Sequence, residues 1–314
     1  MPTSDEIDLI ETGKLASPPV PERAAEFRVP VIGGLTLVTL IAAFTPIAAR
    51  WASADIAPVT LGFIRFALAT LLLGGTMLAR RQRLDFGRED WPRVILLGLL
   101  CVPINQPLYI LGTHLASAGH SGLIYALTPV LVLLLVRLKR SELITWRKLT
   151  GIALSFAGVA LIIITSGISF SPEFVLGDCL LLGAVISWSM YVVASKTLVA
   201  RHGALKTQTG AFLSGTIIYL PILLIDGSRT DWGAVSATAW MGYLYLSVIT
   251  SFVGYFLWNW ALSRADASRV SVINNLAPIV TLALGAVILG ESITPALVVG
   301  GIATLAGAVI TQRG

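Results

Sequence analysis

The sequence predicts an all-α integral membrane protein with ten transmembrane helices, arranged as two inverted five-helix repeats. Three observations carry this prediction. First, 55% of the 314 residues are hydrophobic and only 12% are charged, whereas a soluble chain needs roughly a quarter charged residues to cover its surface. Second, one sequence pattern occurs twice, 149 residues apart. Third, a basic segment accompanies only the first copy of that pattern.

Ten stretches of the chain are long and apolar enough to cross a bilayer, which takes about 20 predominantly apolar residues. They lie near residues 30–50, 58–79, 92–113, 119–138, 147–166, 175–197, 207–226, 239–262, 268–289 and 294–312. Residues 1–28 precede them as a polar, acidic segment, which we expect to be a disordered cytoplasmic tail. The first repeat is predicted to comprise 29–167, and the second, inverted repeat 172–312.

The two copies of the pattern, 116–161 and 265–310, align without a gap. Identical residues in the second copy match Ala116, Ala118, Ile124, Leu127, Pro129, Leu133, Leu135, Glu142, Ile144, Thr145, Gly151, Ala157 and Gly158. Chance pairing in so apolar a chain would give about four matches, so the pattern is a repeat. Lys and Arg surround Glu142, but its counterpart Glu291 has none nearby. Two copies of one membrane unit, inserted in opposite senses, would show this difference.

The distribution of Lys and Arg predicts the orientation of the chain. With a cytoplasmic amino terminus, nineteen of the 22 basic residues lie on the cytoplasmic side, Arg50 and Arg229 lie outside, and Arg65 lies within a span. This bias follows the positive-inside rule, so both termini are predicted to be cytoplasmic. An odd number of helices per repeat then requires the second repeat to enter the membrane upside down.

Other classes of protein find little support in the residue pattern. Basic residues occur in short loops and form no stripe interleaved with aromatic residues, so nucleic-acid binding is not expected. Cys101 and Cys179 stand singly in apolar segments, without the spacing of a disulfide framework or a metal site. We therefore predict no cofactor and no metal.

Polar and aromatic residues recur at helical spacing along five spans. These candidate cavity residues are Asn105, Gln106 and Tyr109; Tyr125 and Thr128; Ser187, Trp188 and Tyr191; Ser251, Tyr255, Trp258 and Asn259; and Ser271, Asn274 and Asn275. Lipid offers such groups no hydrogen bond, so these stripes should face the protein interior. They would line a cavity for a small amphipathic solute. The alternative is that the polar residues bond neighbouring helices.

Arg65 is a charge within a span, at a cost of about 2.5–3.5 kcal/mol on insertion scales. It either contacts a substrate carboxylate or gate, or bonds carbonyls at a helix end near the outer interface; we favour the second role. Pro129 and Pro278 occupy matched mid-span positions and are predicted hinges. Glu142 and Glu291, at the far ends of the fourth and ninth spans, are predicted to cap helix turns.

Two blocks in which Glu follows Pro are the most specific motif. Leu276-Ala-Pro278 is followed by Leu289-Gly-Glu291, and Leu127-Thr-Pro129 is followed by Arg140-Ser-Glu142. With Arg65 placed after Pro58, these blocks resemble EamA-type carriers of the drug/metabolite transporter (DMT) superfamily over about residues 30–312. The resemblance implies a ten-helix alternating-access carrier in the cytoplasmic (inner) membrane of a bacterium. It also implies a central cavity lined mainly by the first, third, fourth, sixth, eighth and ninth helices.

The leading functional hypothesis is export of amino acids or similar small neutral or zwitterionic metabolites; the direction comes from the resemblance. No Asp or Glu lies near the middle of a span, which argues against proton-coupled antiport of organic cations. One alternative is an exchanger of sugar phosphates or nucleotide sugars that uses Arg65 and Lys196. Another is an intramembrane enzyme, although the chain has no HExxH, GxSxG or paired acids at depth. The expected partners are the solute and the lipid bilayer, and a monomer is expected to suffice.

Overall fold

The computed structural model describes residues 29–115, 124–165, 172–226, 230–277, 280 and 295–313, and these residues form helices and turns with no β-strand among them. The α-helices are α1 (Val29–Ser53), α2 (Pro58–Ala79), α3 (Trp91–Leu99), α4 (Asn105–Leu115), α5 (Thr128–Leu138), α6 (Trp146–Thr165), α7 (Pro172–His202), α8 (Ala204–Asp226), α9 (Ala237–Leu244), α10 (Tyr255–Leu262), α11 (Ala267–Val272) and α12 (Pro295–Arg313). Two π-helical segments, Leu100–Ile104 and Tyr245–Gly254, join α3 to α4 and α9 to α10. A 3-10 segment, Ile273–Leu276, follows α11.

The described residues of nine predicted spans are helical, the fourth apart from one turn, and several helices begin or end a few residues beyond the predicted bounds. Half of the predicted ninth span, 268–289, lies outside the described residues, as does the whole predicted tail 1–28. Within the described residues, six helical stretches are long and apolar enough to cross a membrane: Gly33–Ser53, Pro58–Ala79, Trp91–Thr113, Val175–His202, Ala204–Leu224 and Ala237–Leu262. The chain is therefore a multi-pass membrane protein.

The fourth span is interrupted by a turn at residues 126–127, and α5 begins only at Thr128. We placed Pro129 in the middle of a continuous helix, and this placement is wrong. Pro129 lies in the first turn of α5 and is buried there, where a missing N–H leaves no helical hydrogen bond unmade. A hinge at Pro129 stays a prediction. The matched Pro278 lies outside the described residues.

The bundle exposes apolar side chains and buries polar ones, which is the reverse of a soluble protein. Large aliphatic side chains face outward: Leu71, Leu224 and Ile302 are 62–78% exposed. Amide and hydroxyl side chains are buried instead, among them Gln208 and Asn259 at 0% exposure. This arrangement suits a lipid environment, because hydrocarbon offers polar groups no hydrogen-bond partner.

Side-chain contacts divide the loops between two ends of the bundle. At one end, Asp90 contacts His202, and Glu142 contacts the start of α11 at Ala267. At the other end, Asp55 accepts hydrogen bonds from Ser236, and the Ala57 N–H donates to Thr230. We call these the basic end and the opposite end, because the segments 80–93 and 137–148 carry ten of the 22 basic residues.

Equivalent helices of the two repeats run in opposite directions. The offset of 149 residues pairs α2 with α8. α2 starts at the opposite end, directly after Ala57, whereas α8 starts at the basic end, directly after the loop that follows His202. The two halves of the bundle are thus related by inversion, as the odd number of spans requires.

Contact between α6 and α12 has the symmetry expected of inverted repeats. Gly151 and Gly300 are equivalent residues, as are Gly158 and Gly307. Gly158 packs against Gly300, and Gly307 packs against Gly151. A Cβ atom on Gly158 would lie 2.5 Å from the Gly300 carbonyl oxygen, and a Cβ atom on Gly307 would lie 2.5 Å from the Gly151 carbonyl oxygen. These glycines let the two helix backbones approach closely.

Replacing Gly158 with valine should therefore lower the stability of the protein by about 1–3 kcal/mol or more, because the added side chain must force α6 away from α12. Thermal unfolding of the purified protein in detergent measures the effect. Gly74→Val is the matched control, since a Cβ atom there would meet nothing within 4 Å. Equal melting temperatures for the two variants would contradict the close packing.

Candidate functional site

The two π-helical segments mark the same place in both repeats. The offset of 149 residues maps 100–104 onto 249–253, which fall within the second segment. π-Helical turns free backbone groups and occur frequently at functional sites. Broken helices at corresponding positions of two inverted halves point to the binding site of a transporter fold.

Arg65 lies beside the second π-helical segment. It is 8% exposed, and its Nε atom donates a hydrogen bond to Ser251 Oγ at 2.6 Å. The prediction that Arg65 bonds helix-end carbonyls is therefore wrong. Its partner is the Ser251 side chain, which belongs to the other repeat. No carboxylate pairs with Arg65 among the described residues. Its charge is thus buried and has no counter-ion in that part of the chain.

The Arg65 guanidinium lies over the Phe66 ring, 5.1 Å from its centroid. Tyr109 and Tyr255 lie near it, together with the Cys101 thiol of the first π-helical segment. The Tyr109 ring meets Tyr125 edge-on, with 5.4 Å between centroids. The structure thus brings together side chains from α2, α4, α10 and the segment before α5.

Tyr255 belongs to a cluster of four aromatic rings, and Trp188 lies at the centre of this cluster. The Trp188 ring stacks on Tyr191 at 5.2 Å between centroids. It also contacts Tyr255 at 5.4 Å and Trp258 at 5.7 Å. We call Trp188, Tyr191, Tyr255 and Trp258 the aromatic wall; all four were predicted cavity residues.

Three polar side chains meet at one end of the aromatic wall. The Tyr191 hydroxyl donates to Gln208 Oε1 at 2.9 Å and accepts from Asn259 Nδ2 at 2.8 Å. Asn259 Nδ2 also donates to Gln208 Oε1. These residues, which we call the amide triad, come from three helices and are 0–1% exposed.

Gln208 was missed by the sequence analysis. The predicted seventh span began at 207, which placed this glutamine at the membrane interface. The helix instead begins at Ala204, so Gln208 lies in its second turn and points into the bundle. Spacing along this helix gave no signal for it, because its polar neighbours Thr209 and Ser214 bond their own helix.

Three predicted cavity residues anchor the first π-helical segment to α7. Asn105 Nδ2 donates to the Ala184 carbonyl at 2.8 Å, and Gln106 Nε2 donates to Asn105 Oδ1 at 3.0 Å. Ser187 Oγ donates to the Leu100 carbonyl at 2.7 Å. The alternative that such residues bond neighbouring helices therefore holds for Asn105 and Ser187.

Three other predicted cavity residues form hydrogen bonds with groups that do not belong to the aromatic wall. Thr128 Oγ1 donates to the Tyr125 carbonyl at 2.7 Å, and Ser271 Oγ donates to the Ser268 carbonyl at 3.0 Å. Asn275 Nδ2 donates to Ser155 Oγ of α6 at 3.1 Å. The side chain of Asn274 lies outside what the structure describes.

Four buried polar atoms of this region have no hydrogen-bond partner among the described residues. Two are acceptors, Gln106 Oε1 and Asn259 Oδ1, and two are donors, Gln208 Nε2 and Trp258 Nε1. A buried polar atom without a partner costs about 1–3 kcal/mol. Twelve such atoms occur in the described residues, and these four are candidates for a bound polar group because their residues are predicted cavity residues or bond to them.

Charged residues cluster at the basic end. The Glu142 carboxylate accepts hydrogen bonds from the Ala267 N–H and the Ser268 hydroxyl, each at 2.6 Å. Lys148 lies 3.7 Å from Glu142 and 2.7 Å from Asp266, and Lys196 lies 3.3 Å from both carboxylates. We call Glu142, Lys148, Lys196 and Asp266 the ionic lock. Glu142 thus caps a helix, as predicted, but the helix belongs to the other repeat.

The Asp266 carboxylate of the ionic lock is ionised at neutral pH. Burial raises the pKa of Asp266, but the hydrogen bond from Lys148 and the charge of Lys196 lower it by more, so that it lies below its ordinary value of 3.8. Lys148 and Glu142 are almost completely buried, at 3% and 2% side-chain exposure. The lock therefore joins the end of α5 and α6 to α7 and the start of α11.

The repeat does not provide an equivalent lock at the opposite end. Glu291 corresponds to Glu142, but Leu297 stands at the position of Lys148 and Ser117 at that of Asp266. An ion pair between these three residues is impossible. The equivalent positions of the two repeats therefore differ in chemistry.

Fold and site together define a multi-pass membrane protein in which two inverted halves surround a polar, aromatic interior with a buried cation. A model of the EamA-like transporter family matches residues 30–164 and 175–313, one match for each half. The chain belongs to the EamA-like transporter family, and the resemblance seen in the sequence is confirmed.

Similar proteins agree with this assignment. The chain is 29% identical to a "Probable terminal-alkyne amino-acid exporter" of Streptantibioticus cattleyicolor, over 89% of this chain and 91% of that protein. It is 27% identical to an "Uncharacterized transporter" of Archaeoglobus fulgidus, over 90% of this chain and 98% of that protein. A solved structure described as "Crystal structure of protein" superposes with a TM-score of 0.75 at 20% identity, covering 90% of this chain and 96% of that chain. That likeness concerns the fold.

Proposed function

We propose that the protein is an alternating-access transporter that exports amino acids or similar small zwitterionic metabolites. The observation that carries the proposal is Arg65: a buried guanidinium with no carboxylate partner in the described part of the chain, next to Tyr109 and Tyr255. A cation held in this way matches a solute carboxylate. The amino-acid exporter among the similar proteins supports the same substrate class.

The rings beside Arg65 supply contact area for the rest of the solute. Tyr109, Tyr125, Trp188 and Tyr255 each keep part of their surface exposed, although they contact one another between helices. We infer that this surface lines a hollow between the two halves. A mostly apolar hollow with a few fixed polar groups suits a small amphipathic molecule.

Lys196 argues against the exchange of sugar phosphates. It would have to join Arg65 in binding a multiply charged anion, but its Nζ atom lies 3.3 Å from carboxylate oxygens of Glu142 and Asp266. Its charge is therefore already compensated at the basic end. Arg65 alone suits a single carboxylate.

Positive charge supports a cytoplasmic location of the basic end. On this assignment both termini are cytoplasmic, the membrane is the inner membrane of a bacterium, and a monomer contains a complete site. The ionic lock would then close the cytoplasmic side, and the two halves would rock to open each side in turn.

Flux through purified protein in liposomes tests the proposal. We expect radiolabelled neutral amino acids to accumulate by counterflow in liposomes preloaded with the unlabelled compound, and empty liposomes to show none. Glucose 6-phosphate, tested in the same way, should not accumulate. A panel of the twenty common amino acids without flux above that of empty liposomes would contradict the proposed function.

A further inference from the structure

We propose that the amide triad is a subsite for an uncharged group that both donates and accepts hydrogen bonds, such as a phenol or a primary carboxamide, at the tip of the transported solute. The proposal rests on the proposed function and deepens it, because it names the side chains that the carrier would prefer. It is carried by the hydrogen bonds of Tyr191, Gln208 and Asn259 and by the atoms that these bonds leave unused.

The hydrogen bonds fix which atoms of the triad remain available. Gln208 Oε1 accepts from the Tyr191 hydroxyl and from Asn259 Nδ2. The Gln208 side-chain amide therefore cannot turn over on its own, because its NH₂ group would then face the NH₂ group of Asn259. If both amides turn over together, they exchange their roles, and one donor and one acceptor remain in either case. What remains is one donor group, Gln208 Nε2, and one acceptor, Asn259 Oδ1, both buried and without a partner in the described residues.

A matching solute group must satisfy both atoms. A hydroxyl or a carboxamide accepts from Gln208 Nε2 and donates to Asn259 Oδ1. A carboxylate has no hydrogen to donate to Asn259, an ammonium group has no lone pair for Gln208, and a methyl group has neither. Sites that bind a hydroxyl in this way discriminate strongly against analogues that lack it, because their own buried groups then stay unpaired.

Arg65 and the amide triad lie toward opposite ends of the aromatic wall. Ser251, which bonds Arg65, and Asn259 lie eight residues apart on one continuous helical stretch, a rise of about 12 Å. The rings of Tyr255 and Trp188 lie between the two places. A solute whose carboxylate binds Arg65 would lay its side chain along the aromatic wall, with its tip toward the amide triad.

Equilibrium binding of matched amino acids to the detergent-purified protein tests this subsite. L-Tyrosine and L-phenylalanine differ by one hydroxyl, and L-glutamine and L-glutamate differ by the replacement of a carboxamide with a carboxylate. We expect the dissociation constants of tyrosine and glutamine to be about 10- to 100-fold lower than those of their partners, as measured by calorimetry.

Variants of the triad should remove this preference. Gln208→Met keeps the length of the side chain and removes the donor, so the tyrosine-to-phenylalanine ratio should approach one. Tyr191→Phe should lower the ratio less, because it removes only the hydroxyl that positions the two amides. Thr209→Val is the control on the same helix, since among the described residues its hydroxyl bonds the Leu205 carbonyl and no group of the triad.

The outcomes separate the subsite from the function on which it rests. Equal binding of both members of each pair to the unaltered protein, an unchanged ratio in both Gln208→Met and Tyr191→Phe, or no binding of any of the four compounds would each overturn the subsite. Leucine counterflow is measured in the same preparations. Leucine flux together with equal binding would contradict the subsite and still support the proposed function. Absence of flux for every amino acid would contradict the proposed function itself.

Discussion

Replacing Arg65 with glutamine should reduce the affinity for amino acids about 10- to 100-fold, because a charge-assisted hydrogen bond to a carboxylate contributes about 1.5–3 kcal/mol. The same variant should fold at least as well as the unaltered protein. Glutamine can still bond Ser251, and its insertion avoids the cost of a buried charge, about 2.5–3.5 kcal/mol. Counterflow in liposomes and thermal unfolding in detergent measure the two effects.

The opposite changes in transport and stability distinguish a substrate contact from a structural role. If Arg65 only held α2 to the second π-helical segment, its replacement would lower the stability of the protein and its transport together. Arg65→Lys should fall between glutamine and the native residue, since it keeps the charge but loses the planar donor pair. Arg201→Gln, which removes an exposed cation paired with Asp90, is the control. Full transport in Arg65→Gln would contradict the role of Arg65.

Replacing Glu142 with alanine should open the basic end of the bundle. The substitution leaves Lys148 buried with only Asp266 to pair it and leaves the Ala267 N–H and the Ser268 hydroxyl without their acceptor. Breaking a buried ion pair by removing one partner costs about 3–5 kcal/mol. We expect a lower melting temperature and, because that end no longer closes, a roughly tenfold loss of flux, equivalent to about 1.4 kcal/mol.

Chemical labelling reports the opening directly. Val193 lines a cleft of about 220 Å³ beside Lys196 and is itself buried. In a Cys179→Ser background, a cysteine at Val193 should react slowly with a charged maleimide in the otherwise native protein, and at least several times faster with Glu142→Ala. Glu89→Gln changes an exposed acid at the same end and should leave the rate unchanged. Equal labelling rates in all three proteins would show that the lock does not close this end.

Most of the fold could be predicted because the bilayer restricts the solutions so strongly. Span length, the positive-inside bias and the repeat each report on the whole chain, and the described helices agree with them. The predictions that failed depend on local geometry. The turn at 126–127 ahead of Pro129 leaves no clear mark in an apolar run, and the π-helical segments have no sequence signature beyond Pro103, which lies inside the first.

The site was partly predictable for a related reason. Helical spacing selected Trp188, Tyr191, Tyr255 and Asn259, because polar and aromatic groups must turn away from lipid. Spacing along one helix does not reveal partners on another, so it could not pair Arg65 with Ser251. Nor could it find Gln208, whose importance comes from two side chains on different helices.

Cysteine accessibility from the two sides of a membrane most directly tests the central claim, that two inverted halves enclose the site. Asp85, Ser141 and Ala234 are exposed in the structure. With Cys179 replaced by serine, single cysteines at these positions are labelled in intact cells with an impermeant maleimide, before and after permeabilisation. The account predicts that Ala234→Cys reacts in intact cells, and that Asp85→Cys and Ser141→Cys react only after permeabilisation. Labelling of all three from the same side would contradict the inversion, and with it the proposed transport cycle.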